Sequence, residues 1–180
     1  MKTYEFSIVA SGLDPDAHDF ESRFYDAGCN DATIAFQKRH IIVDFGRPAE
    51  SIEEAIASAV ECVRRAGARV DRIEPDPLVS LAEIAARAGM SRAAVTLYAK
   101  GERGSDFPAP VAKVTSDSSL WDWSTVAAWL FKNKRLSRER VIEAHAVKVA
   151  NEVIGTGETA MRAALHDRLL QCEAVLDEVA

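Results

Sequence analysis

Two prolines in the run Glu74-Pro75-Asp76-Pro77 divide this chain of 180 residues. Proline lacks an N–H and fixes φ, and it drives the preceding residue out of helical conformation. Neither a helix nor a central strand therefore continues through the run. The cut leaves a first domain of about 1–76 and a remainder to be divided by its own signals. With 48% hydrophobic and 28% charged residues, the composition is that of a folded globular chain. No apolar run approaches the ~20 residues that cross a bilayer, and MKTYEFSIVAS lacks the basic region and apolar block of a signal peptide. The expectation is a soluble cytoplasmic protein with no membrane partner. Cys29, Cys62 and Cys172 are odd in number and far apart, so no disulfide framework is expected, and Cys29 reads as a buried thiol.

Within 1–76, Tyr4, Phe6, Ile8 and Ala10 alternate with Glu5, Ser7 and Val9, the period of a half-buried strand. Asp14-Pro15 signals a helix start, Phe20 and Phe24 supply its apolar stripe, and Gly28 ends it. Ala32, Ile34 and Phe36, then Ile41, Val43 and Phe45, alternate about a polar turn at Gln37-Lys38-Arg39-His40. Ser51 with Glu54 forms a capping box ahead of a helix carrying Ile52, Ile56, Val60 and Val63. Val70 and Ile73 mark a last strand. The order β-α-β-β-α-β is that of a ferredoxin-like domain. A fold does not assign a function, and the region reads first as a scaffold or dimerisation module without a ligand and second as an effector-sensing domain.

Charge is segregated along the chain. Residues 1–77 hold 9 Lys and Arg against 15 Asp and Glu, residues 78–136 hold 8 against 5, and residues 137–180 hold 5 against 8. Only the middle block is net basic, although the whole chain carries −6. Screening over about 8–10 Å lets such a block act locally on phosphates. In this block Ser80 and Glu83 form a second capping box, and LAEIAARAGMSRAAVTLYAKG has the pattern of a helix-turn-helix. Ile84, Ala88, Met90, Val95 and Tyr98 fall at buried positions, Ala85 is small at the helix crossing, and Gly89 suits a left-handed turn. Ser91 caps the second helix. Ser91, Arg92, Ala93, Thr96 and Leu97 then form its outward face, with Lys100 and Arg103 extending a basic edge. Arg92 can bond guanine O6 and N7 in the base plane.

Downstream, Phe107-Pro108-Ala109-Pro110-Val111 and Leu120-Trp121-Asp122-Trp123, joined by a polar loop after Lys113, read as a β-hairpin wing. Ser124 is expected to cap a helix bearing Val126, Trp129 and Leu130. Lys132, Lys134 and Arg135 cluster at its end, where they complement the helix C-terminus or meet phosphate. Trp121, Trp123 and Trp129 read as core rather than as stacking platforms for bases.

IAARAGMSRAAV, FPAPV and LWDWSTVAAWL together resemble the winged helix-turn-helix of MerR-like and AlpA excisionase-type DNA-binding proteins. Ala27-Gly28-Cys29-Asn30-Asp31-Ala32 resembles the AGCxDA region that a group of bacterial DNA-binding regulators places before that module. The resemblance implies duplex DNA as partner. The acid at Asp106 in the wing tip and the long C-terminal helical tail depart from the pattern.

Ser137 is expected to cap a helix reaching Ile154, and Gly155-Thr156-Gly157 to break it. Met161, Leu165, Leu169, Cys172, Leu176 and Val179 form a coiled-coil-like seam in the last helix. The scattered histidines His18, His40, His145 and His166 show no metal spacing, and no P-loop, nucleophile elbow or dinucleotide fingerprint is present. The expectation is thus an α+β protein without enzymatic activity, metal or cofactor. It comprises a ferredoxin-like domain over 1–76, a winged helix-turn-helix over 78–136 and a C-terminal helical hairpin over 137–180. The expected DNA contacts are Ser80, Ser91, Arg92, Ala93, Thr96, Leu97, Lys100, Arg103 and Lys113. A homodimeric transcriptional regulator, paired through the C-terminal helices or the N-terminal domain and open to a small-molecule or protein effector, fits these features. An excisionase, architectural or antitoxin-like protein of a mobile element, and a protein-interaction adaptor without DNA binding, fit them as well.

Overall fold

The computed structural model describes residues 1–157 and 160–179. It is a mixed α+β structure whose residues divide into two compact units. The first is Met1–Pro75 with Val149–Arg168, and the second is Asp76–Lys148 with the residues from Leu169 onward. Residues 137–180, read from the sequence as one assembly element, are therefore shared between the units. Residues 158, 159 and 180 of that stretch lie outside the described residues.

The first unit contains β1 (Lys2–Ser11), α1 (Phe20–Asp26), β2 (Ala32–Gln37), β3 (His40–Ala49), α2 (Ile52–Arg65) and β4 (Arg69–Glu74). Its antiparallel sheet has the order β2-β3-β1-β4, so each helix joins two strands that have a third between them. Phe6 lies opposite Phe45, Ile8 opposite Val43 and Ala10 opposite Ile41. This face is buried, as are Ile56, Val60 and Val63 of α2. The β2–β3 turn is tighter than the four-residue polar run implies. Gln37 pairs with His40, and Lys38 and Arg39 both take positive φ, the mirror-image turn that suits a twisted hairpin. The first helix starts later than Asp14-Pro15 indicates. The Asp14 carboxylate accepts from the Asp16 amide at 3.0 Å and holds a turn, and helical periodicity begins only at Phe20.

β3 runs four residues beyond Phe45 because Arg47 continues the buried face, at 8% exposure. Its guanidinium donates Nε to Asp31 Oδ2 at 2.8 Å and Nη2 to Asp31 Oδ1 at 2.7 Å. It also donates to the Ser58 hydroxyl at 3.2 Å and to the Gly28 carbonyl at 3.1 Å, and it sits 4.6 Å above the Phe45 ring. The hydrogen bonds from Arg47 lower the Asp31 pKa. Beside this pair, Cys29 is joined to Cys62 in a disulfide, with Cα atoms 5.9 Å apart. The reading of Cys29 as a free thiol is thus corrected. The α1–β2 loop meets α2 across 33 residues of chain, a proximity that cysteine spacing cannot reveal. Gly28, Cys29 and Asp31 of the Ala27–Ala32 run are together the fastening of that loop.

The order of the sheet leaves β4 at an edge. There the Asn151 amide closes two bonds with Ile73, accepting from its N–H at 2.9 Å and donating to its carbonyl at 2.8 Å. A side-chain amide thus stands where a further strand would pair.

The second unit contains β5 (Leu78–Val79), α3 (Leu81–Ala88), α4 (Arg92–Ala99), β6 (Trp121–Asp122) and α5 (Trp123–Lys132). β5 and β6 pair antiparallel, Val79 opposite Trp121. The β-hairpin expected across 107–123 is reduced to one bridge, Ala112 with Leu120, because Pro108 and Pro110 have no N–H to give a ladder. Asp122, not Ser124, caps α5: its Oδ1 accepts from the Thr125 amide at 2.8 Å and the Thr125 hydroxyl at 2.7 Å. Burial pushes the Asp122 pKa up, yet the Thr125 bonds and Lys148, at 3.1 Å, leave it lowered overall. Ser124 is buried and shares a 3.1 Å hydrogen bond with His145 Nδ1.

Two further helices, α6 (Arg138–Thr156) and α7 (Met161–Glu178), contribute to both units. α6 runs two residues past Ile154, through Gly155. Met161 and Leu165 of the expected seam are buried in the first unit, and Leu169 and Leu176 in the second. Most of that seam is covered by its own chain. Among the described residues no helix is long and apolar enough to cross a membrane.

Candidate nucleic-acid interface

α3 is capped at both ends. The Ser80 hydroxyl accepts from the Glu83 amide at 3.3 Å, and Glu83 Oε2 accepts from the Ser80 amide at 2.8 Å and its hydroxyl at 2.7 Å. The bonds from the Ser80 amide and hydroxyl lower the Glu83 pKa. Gly89 closes the helix at φ +63, a left-handed conformation that costs glycine little. Two residues later the Ser91 hydroxyl accepts from the Ala94 amide at 3.2 Å and starts α4.

Val95 and Tyr98 anchor α4 in a core with Ile84, Val126 and Leu130. The helical period turns Ala93, Leu97 and Lys100 away from that core and sets Arg92 at its flank, and these four are exposed together with the capping Ser91. Leu97 is 38% exposed, an apolar side chain on a cationic face. Among the described residues neither Arg92 nor Lys100 has a carboxylate at ion-pair distance. Thr96 is only half-exposed, and its hydroxyl donates back to the Arg92 carbonyl at 2.9 Å, which leaves its methyl group and the oxygen's two lone pairs as contact groups. Ser80 belongs to the capping box described above. Arg103 folds back, its guanidinium 5.3 Å over the Tyr98 ring. Lys113 is exposed at the start of a serine-rich loop, and its carbonyl accepts from the Ser116 amide and hydroxyl, both at 3.0 Å, and from the Ser119 hydroxyl at 3.1 Å. Glu102 and Asp106, both exposed, are the acids nearest in sequence to this basic edge.

The segment after α4 is held by aromatic rings. Trp129 lies 5.0 Å from both Tyr98 and Phe107, centre to centre, and its indole donates to the Ser105 carbonyl at 3.0 Å. Trp121 donates to the Pro108 carbonyl, also at 3.0 Å. The indoles are core residues with polar edges that fix an otherwise irregular strand. Gly104 belongs to the same lock, since a β-carbon there would stand 3.1 Å from Tyr98 Cε1. The sequence signals this arrangement only through its Phe-Pro and Trp residues, which carry no spacing rule for the Gly104 contact. Comparison with family models, with curated proteins and with solved structures gives no match to this chain.

Proposed function

We propose that this chain is a sequence-specific duplex DNA-binding transcriptional regulator that presents α4 to the major groove, acting in the cytoplasm. The observation that carries the reading is the two-sided character of α4. Val95 and Tyr98 lock one side into a core, while Arg92, Ala93, Leu97 and Lys100 stand outward with no paired acid. Such a helix offers a bidentate donor for guanine, small and apolar side chains for the groove floor, and a cation for the backbone. On this reading the 78–136 region is a winged helix-turn-helix whose wing is the loop from Lys113, and the first unit is a ferredoxin-like domain. An eight-residue reading helix covers few base pairs, which favours pairing of two copies on adjacent half-sites.

Selection of bound sites from random duplexes, followed by mobility shift over a range of salt, tests the proposal. Log affinity is expected to fall linearly with log salt. Arg92→Ala should cost about 1–3 kcal/mol on the selected site and relax the preference at one base pair. A chain that selects no site, or whose Arg92→Ala variant binds with unchanged affinity and preference, would remove α4 from that role. Sedimentation with and without the selected duplex reads the pairing.

A further inference from the structure

We propose that the turn closing α5 is a phosphate-binding pocket, distinct from the α4 face. Phe131, Leu136 and the exposed Val179 give apolar lining to a cleft of about 450 Å³. Lys132, Lys134 and Arg135 line the same cleft, and Ser137 completes it at the start of the 19-residue helix α6. Three cations within four residues repel one another, and among the described residues none has an ion-pair partner. On α7, Asp177 and Glu173 pair instead with Arg138, at 3.0 Å and 3.7 Å.

The backbone holds these cations in place. The Lys134 amide donates to the Phe131 carbonyl and the Arg135 amide to the Leu130 carbonyl, both at 2.8 Å. Lys134 itself sits at φ +57, the helix-ending position where glycine is usual. The Ser137 hydroxyl oxygen accepts from the Arg140 amide at 3.4 Å and retains its proton as a donor. The amino end of α6 adds positive potential, and the three cations outweigh the opposing potential of the carboxyl end of α5. A carboxylate brings a single charge and two oxygens to three cations and a hydroxyl donor, and so leaves much of the positive charge unbalanced. A phosphate group, with up to two charges and three free oxygens, balances more of it.

That phosphate has two sources, a free phosphorylated ligand or the backbone of a duplex, and pyrophosphate and duplex titrations at fixed ionic strength separate them. With pyrophosphate, the amide resonances of 131–138 should shift. The combined Lys132→Ala, Lys134→Gly, Arg135→Ala variant should bind about tenfold more weakly or worse, with an unchanged circular dichroism spectrum. Lys134→Gly alone, which relieves the positive φ, should be at least as stable as the parent and still bind pyrophosphate more weakly. If the source is a duplex, pyrophosphate gives no shift, and the combined variant instead loses duplex affinity with a shallower salt slope. No shift with millimolar pyrophosphate together with unchanged duplex affinity in the variant overturns the pocket. A chain that binds pyrophosphate but selects no duplex would sink the DNA reading and leave the pocket standing.

Discussion

Gly104 and Arg47 are the two residues whose roles depend most on neighbours distant in sequence. At Gly104 a side chain meets both a left-handed φ of +69 and the Tyr98 ring at 3.1 Å. Gly104→Ala is therefore expected to destabilise the second unit by about 1–3 kcal/mol, seen as a lower thermal midpoint. Because Tyr98 also anchors α4, duplex affinity should fall with it. Arg47 has the opposite history in the sequence. The alternation Ile41, Val43, Phe45 stops at a cation, so a pattern of apolar residues ends the strand there. The chain continues because Asp31, Ser58 and the Gly28 carbonyl satisfy the guanidinium inside. The outward face of α4 was legible, since helical period alone sets Ala93, Leu97 and Lys100 away from Val95 and Tyr98 and leaves Arg92 at the flank of that face. The inward turn of the Thr96 hydroxyl and the stacking of Arg103 on Tyr98 were not, because both depend on local hydrogen bonding and ring position.

Caps decide where several elements begin. Ser80→Ala should cost about 1 kcal/mol, measured by urea unfolding of the full chain. Glu83, on the other half of the box, has a folded pKa below its ordinary value. Its contribution is therefore fully present above the ordinary carboxylate range and is lost as pH falls through the lower folded value. Asp31 and Asp122 have the same sign, so unfolding midpoints should hold from neutral pH to about 5 and drop below it. A midpoint that rises on acidification would contradict all three assignments. The Ser80, Ser91 and Gly89 signals were readable because each acts on backbone groups three or four residues away. The start of α5 was misread because Asp122 and Ser124 are both good caps, and burial of Ser124 against His145 decided between them. The hairpin was overestimated for a reason present in the sequence, the missing amides of Pro108 and Pro110.

At the scale of the molecule, the Cys29–Cys62 bond closes a loop of 33 residues. Chain-entropy arguments give such a closure about 3–4 kcal/mol. Cys62→Ala, or full reduction by dithiothreitol, should lower the unfolding free energy of the first unit by an amount of that order. The resistance of the second unit should be unchanged, and urea titrations followed by site-specific probes in each unit read the difference. The first unit breaks off at Pro75, inside the proline run, whereas nothing in the sequence marks the return of the chain to it at Val149 or its departure after Arg168. Continuous helical patterns carry no mark of which core they serve. That interlaced path bears on how the protein is made. Leu165, which the first unit buries, and Leu176, which the second buries, both belong to α7. A ribosome releasing the chain in order thus delivers the last pieces of both cores with one helix, so neither core is complete before α7 emerges.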